Sequence, residues 1–121
     1  MKLQDLPRGS VVLVAFPFTD LTATKVRPAI VLSTPEFHAR HGDVIIAAVS
    51  SVVRRPEHPT SVLLPVDSPD FARTGLRVAS TVHCGKLVTV QGTLVLKRLG
   101  HLASPALRRV DTALRRAVGL A

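Results

Sequence analysis

Short apolar runs, each closed off by proline, glycine or hydroxyl residues, limit what this chain can fold into. SVVLVAF (Ser10 to Phe16) follows the turn signal Pro7-Arg8-Gly9 and stops at Pro17. RPAIVLS (Arg27 to Ser33) comes after the polar loop FTDLTATK. VIIAAVSS (Val44 to Ser51) comes after TPEFHARHGD, which has room for a short helical turn. SVLLPV begins at Ser61, RVASTVHC spans Arg77 to Cys84, and TLVLKRLGHL begins at Thr93 and reads as broken near Gly100. These runs are short and rich in Val, Ile and Leu, so they read as strands. Pro28 is tolerated at a strand's beginning, where the missing N–H does no harm, and Pro65 points its strand to an edge. Loops of about ten residues fit antiparallel pairing better than strand–helix–strand units.

The C-terminus changes period. In SPALRRVDTALRRAVGLA, Leu107, Val110, Leu114, Ala117 and Val118 form an apolar stripe at helical spacing. Ser104 reads as the N-cap, Pro105 as the first helical residue and Gly119 as the stop. Asp111 and Arg115 stand four apart and can pair on the flank. Arg108, Arg109, Arg115 and Arg116 fringe the stripe. They could touch nucleic acid, though such a fringe is more often a solvated helix face. Five or six short strands and one amphipathic helix imply a mainly β fold with a C-terminal helix, in a single domain over residues 1–121. The expected architecture is a small, strongly curved sheet or partly open barrel with the helix over one side.

With four Phe and neither Trp nor Tyr, the core has to be aliphatic. Sixteen Lys and Arg against eight Asp and Glu give a net charge of +8. That excess suits a polyanionic partner: nucleic acid, an anionic membrane surface or an acidic protein. Plain solubility charge in an arginine-rich proteome is the competing explanation. The one cysteine, Cys84, allows no intramolecular disulfide and no multi-cysteine metal site, which fits a reducing cytoplasm. MKLQDLPRGS lacks a signal-peptide core, and no apolar run nears the ~20 residues of a membrane span. A soluble, cytoplasmic protein with no membrane association is expected.

Several kinds of site are absent from the pattern. There is no GxxxxGK[ST] or GxGxxG loop. His38 and His41 have no third ligand at zinc spacing, and the few scattered carboxylates do not suggest a two-metal centre. His83 and Cys84 are strand neighbours and point to opposite faces, so they are no dyad. What remains is Arg27, set against a buried strand and followed by Pro28. Proline restricts the residue before it to extended conformations, so the side chain is aimed with little slack. A guanidinium there is costly to bury alone but suited to an anion in a groove at the strand end. An ion pair to Asp20 explains Arg27 equally well. Ser50 and Ser51 end the third strand; if that strand lies beside the second, Ser50 falls near Arg27, and otherwise the hydroxyls only cap a turn. An arginine and a hydroxyl can stabilise a phosphorane when a ribose 2′-OH attacks its own phosphodiester.

The stretch RGSVVLVAFPFTDLTATKVRPAIVLS resembles the N-terminal signature of the MazF/PemK-type toxin endoribonucleases. GDVIIAAVSS resembles that family's next strand, which ends in a hydroxyl residue. GLRVASTVHCGKLVTV, with Lys86 and Thr89, and LKRLGHLASPALRRVDTALRRAVGL resemble its later strands and closing helix. The likeness runs over residues 7 to 120 and implies an SH3-like small β-barrel, usually a homodimer. It implies a sequence-specific, metal-independent endonuclease of single-stranded RNA that leaves 2′,3′-cyclic phosphate and 5′-hydroxyl ends and uses no cofactor. It also implies a cognate antitoxin, whose acidic segment blocks the RNA groove, and a DNA-binding complex of the two. The family's catalytic arginine falls on Arg27 and its hydroxyl residue on Ser50, where serine replaces the usual threonine. Phe16, Phe18, Thr19, Asp20, Lys25, Ser51, Arg54 and Lys86 are the expected RNA contacts. Ser10 and Val52 stand where the family often has aspartate and glutamine. A same-fold toxin acting on DNA gyrase and a non-catalytic nucleic-acid-binding module are the alternatives, because function lives in the site and not in the fold.

Overall fold

A computed structural model describes residues 1–16, 25–51 and 58–121. Among them, six strands form one antiparallel sheet: β1 (Ser10–Phe16), β2 (Lys25–Val31), β3 (Asp43–Ser50), β4 (Ser61–Leu64), β5 (Ser80–Gln91) and β6 (Val95–His101). Two helices join them, α1 (Pro35–His41) and α2 (Ser104–Val118). The sheet order is β4-β5-β3-β2-β1-β6, so β4 and β6 are its ends. The mainly β architecture with a closing helix is the one expected from the sequence. No helix among the described residues is long and apolar enough to cross a membrane.

Each face of the sheet carries a buried cluster. On one face Val11, Ile30, Ala47, Val49, Val82 and Cys84 pack under Val110 and Ala113 of α2. On the other, Val12, Val14, Ala29, Val31, Val44 and Ile46 close around Leu6 and Val90. The period of two along each strand divides these sets, and the missing large aromatics are replaced by many small aliphatic contacts.

Several local expectations are corrected. β2 begins at Lys25 and stops before Ser33, whose hydroxyl accepts from the Ile45 N–H and meets His38 Nε2 at 2.6 Å. The fifth strand begins three residues later than expected and runs on to Gln91, because a bulge absorbs Cys84, Gly85 and Lys86 without ending the pairing. β6 continues through Gly100, and the break expected there is a register shift that leaves Leu99 out of the pairing with β1. Glycine is there for closeness: a Cβ at that position would lie 2.0 Å from the Arg73 carbonyl oxygen. Ser104 is the first helical residue and Ala103 the N-cap, with no side-chain cap. Of the expected stripe, Val110 is buried, Ala113 joins it, and Ala117 and Val118 are exposed because the last turn extends past the core. Asp111 does not serve Arg115. It forms an ion pair with Arg8, which also donates from Nε to the Leu32 carbonyl at 2.8 Å.

Gly100→Ala should destabilise the fold by about 2 kcal/mol or more, toward the upper end of overpacking costs, because the obstructing atoms are backbone. Chemical denaturation measures this; a change within about 0.5 kcal/mol, as at an ordinary surface site, would show that the backbones separate easily.

Candidate active site

The β2–β3 ladder ends at the pair Ala29↔Ala48. Beyond it the two strands carry Arg27 and Ser50, which alternation places on the face of Ala29, Val31 and Ile46, away from α2. The expected neighbourhood of the second and third strands is therefore present. On β1, Val14 stands opposite Arg27, and Phe16 opposite Lys25. On β5, Thr81 stands opposite Ser50 and His83 opposite Ala48.

Where the ladder ends, a concavity of about 260 Å³ opens, lined by Phe16, Lys25, Arg27, Pro28, Ala48, Val49 and Lys86. Phe16 is half-buried, while Arg27, Lys25 and Lys86 are exposed. Lys86 reaches the concavity because it lies in the β5 bulge, which shifts the partner of Ala47 to Leu87 while Ala48 keeps His83. The described lining holds three cations, one aromatic ring and no carboxylate. Such a surface attracts an anion with an apolar or aromatic appendage, and its described side chains offer no carboxylate to a divalent metal.

Arg27 makes no hydrogen bond or ion pair to another described residue, and its expected rival partner, Asp20, lies outside the described residues. So do Phe18, Thr19 and Arg54. Ser50 is half-buried at the end of β3 and shares the face of Arg27, but it is not part of the concavity's lining. Ser51 is exposed and lines a different concavity of about 370 Å³, with Arg27, Leu76, Arg77, Ser80 and Lys97. Arg27 thus stands between two hollows, and the two serines part company.

One residue of this face, Thr81, was not singled out by the sequence. Thr81 is buried, and its hydroxyl has no partner among the described residues. His83 is half-buried on the same face. Only the β3–β5 register reveals that both stand across from the end of β3. Cys84 is buried on the opposite face, with Sγ 3.7 Å from the Val110 carbonyl. Burial, with a smaller contribution from the Asp111 carboxylate, pushes its thiol up to about 11. It is a core residue and no nucleophile. Native Cys84 should react with iodoacetamide at neutral pH at least ~10²-fold more slowly than a free cysteine, and at the ordinary rate once unfolded. Mass spectrometry of the alkylated protein reads this; rapid native labelling would contradict the buried placement.

Residues 7–118 match the family model described as PemK-like, MazF-like toxin of type II toxin-antitoxin system. No curated protein matches the chain in sequence. Among solved structures, one of an endoribonuclease in complex with its cognate antitoxin, from a mycobacterial species, superposes with a TM-score of 0.75 at 19% identity, covering 96% of this chain and 97% of that one. A MazE–MazF complex from Deinococcus radiodurans gives 0.74 at 20% identity, covering 96% and 98%. Toxin MazF-mt6 of Mycobacterium tuberculosis gives 0.73 at 20% identity, covering 93% and 98%.

Proposed function

The chain belongs to the PemK-like, MazF-like toxins of type II toxin-antitoxin systems, and on that footing we propose that it is an endoribonuclease that cuts single-stranded RNA at specific sequences without a metal ion. The observation that carries this reading is the convergence of Arg27, Lys25 and Lys86 with Phe16 on one concavity at an open strand end. The scissile phosphate docks against Arg27, whose planar fork matches two phosphate oxygens and strengthens its hold as charge builds in the phosphorane. The Ser50 hydroxyl donates to the same transition state. The neighbouring 2′-OH is the nucleophile, so the products carry a 2′,3′-cyclic phosphate and a 5′-OH, and DNA is spared. Lys25 and Lys86 hold flanking phosphates, Phe16 stacks a base, and Ser51 contacts the strand as it passes the end of β3. Phe18, Thr19, Asp20 and Arg54 belong to the segments that would enclose the RNA and set its sequence.

The partners follow from the same surface. A cognate antitoxin is proposed because several structural neighbours are complexes with one. An acidic segment of such a partner would be drawn to the same cations. A homodimer is proposed because β4 and β6 are sheet ends, and a two-fold pairing can cover exposed edges.

Arg27→Ala should lower the cleavage rate by ~10²–10³, the usual cost of one electrostatic contact to the transition state, with the melting temperature unchanged. Arg27→Lys should recover only part of the rate, since an ammonium lacks the fork. The assay is cleavage of a mixed-sequence RNA in EDTA. Wild-type protein that binds RNA without cutting it would leave a binding module, and protein inert toward RNA would point to another target.

Ser50→Ala should impair cleavage more than Ser51→Ala, because only Ser50 shares the face of Arg27. Ser50→Thr should retain activity. If Ser51→Ala proved the more damaging of the two, the reaction would belong to the hollow lined by Ser51, Leu76 and Arg77 instead.

A further inference from the structure

The proposed reaction needs a group to take the proton from the 2′-OH, and neither an arginine nor a serine is a good base. Histidine is the side chain best matched to that task at neutral pH. The chain has five. His38 is buried with both ring nitrogens engaged, Nδ1 at 2.9 Å from the Leu3 carbonyl and Nε2 at 2.6 Å from Ser33 Oγ. His41 stacks on Phe37 at the end of α1, its ring centre 4.5 Å away. His58 bonds to Thr60 Oγ1 at 2.6 Å. His101 ends β6, paired with Ser10 at the far end of β1 from Phe16.

His83 is different in each respect. Val82 and Cys84 on either side of it belong to the core under α2, so alternation turns His83 to the face of Arg27 and Ser50. Its cross-strand partner Ala48 lines the concavity, as does Lys86 three residues along β5. Its ring makes no hydrogen bond to another described residue, and like Ser50 it stands beside the concavity without being part of its lining.

We propose that His83 is the general base of RNA cleavage, a catalytic residue that takes the 2′-OH proton beside the phosphate held by Arg27; this rests on the endoribonuclease reading above. Neutral His83 accepts the proton as O2′ forms its bond to phosphorus. The P–O5′ bond breaks, O5′ takes a proton from water, and the imidazolium returns its own to solvent. One proton has moved from O2′ to O5′, and nothing is oxidised or reduced.

The surroundings keep the imidazole neutral. Burial first, and the Lys86 ammonium second, lower its pKa from the ordinary 6.5. Among the described residues, the charged groups around the concavity are all cations: Lys86 on β5 itself, and Lys25 and Arg27 on β2. The neighbouring strand positions on β3 and β4 are the uncharged Ala48, Ser50 and Ser61. A base works in its unprotonated form, so the rate should rise with pH below 6.5 and level off above it.

The test is the pH profile of kcat and KM for an RNA oligonucleotide, measured in EDTA with wild type, His83→Gln and His83→Ala. The expected wild-type kcat shows that rising limb. His83→Gln should lose the limb and ~10²–10⁴ of kcat, with KM changed by no more than about threefold. Added imidazole should restore part of the activity of His83→Ala, which a merely structural role would not allow. A wild-type profile flat from about pH 5 to 7.5, or a His83→Gln enzyme that keeps wild-type kcat, would overturn the assignment of His83 while leaving the endoribonuclease reading intact. A folded wild-type protein that cuts no RNA would fail the endoribonuclease reading itself, and the role of His83 with it.

Discussion

A sheet with a buried cluster on each face has no interior place for a cation. Val11, Ile30 and Ala47 fill one face, and Val12, Ala29 and Val31 the other. Each valine or isoleucine among them contributes about 1.5–3 kcal/mol by leaving water. An unpaired guanidinium among them would cost more than several of these contacts return. The cations of the strands therefore stand at exposed positions, Lys25 and Arg27 on β2, Lys86 on β5, and Lys97 and Arg98 on β6. Arg27, Lys25 and Lys86 gather where the β2–β3 ladder ends and the β5 bulge begins.

The frame that holds those strand ends is tied at the other end of the sheet. Gly9, at φ 88, donates from its N–H to the Val31 carbonyl at 2.8 Å and accepts from the Leu102 N–H at 2.9 Å. Arg8 beside it joins the Leu32 carbonyl to Asp111 of α2. One turn thereby ties the start of β1 to the end of β2, the end of β6 and the covering helix. A shielded, partly buried ion pair of this geometry holds α2 over its face more firmly than an exposed pair on the helix flank would. The position of Asp111 explains a second feature too, because its carboxylate adds to the burial that keeps Cys84 protonated.

Much of the architecture was legible before any coordinates. β1 falls where the apolar run and its flanking turn put it, and α2 begins and ends within a residue or two of its proline and glycine signals. Arg27 and Pro28 were legible as an aimed side chain, since the proline acts on its own neighbour. The bulge was not legible. Gly85 looked like the end of a strand, whereas it is where three residues leave the ladder and the strand resumes. Gly100 misled for a similar reason: its lack of a side chain serves the backbone near Arg73, which is distant in sequence.

By itself, then, the sequence determined which segments are strands, which is the helix, which faces are apolar, and that a cation stands at the mouth of β2. These are local matters of period, propensity and backbone restriction, acting over a few residues. Only the tertiary structure decided which strand lies beside which. From that came the company of Arg27: Lys86 brought to the rim of the same concavity by a bulge, and Thr81 and His83 set across from the end of β3. It also separated Ser50 from Ser51 and gave Asp111 to Arg8. The register at the site is set by pairing between residues distant in sequence, such as Ser50 and Thr81. No local preference encodes such a pairing, because what selects it is the joint burial of two distant strands.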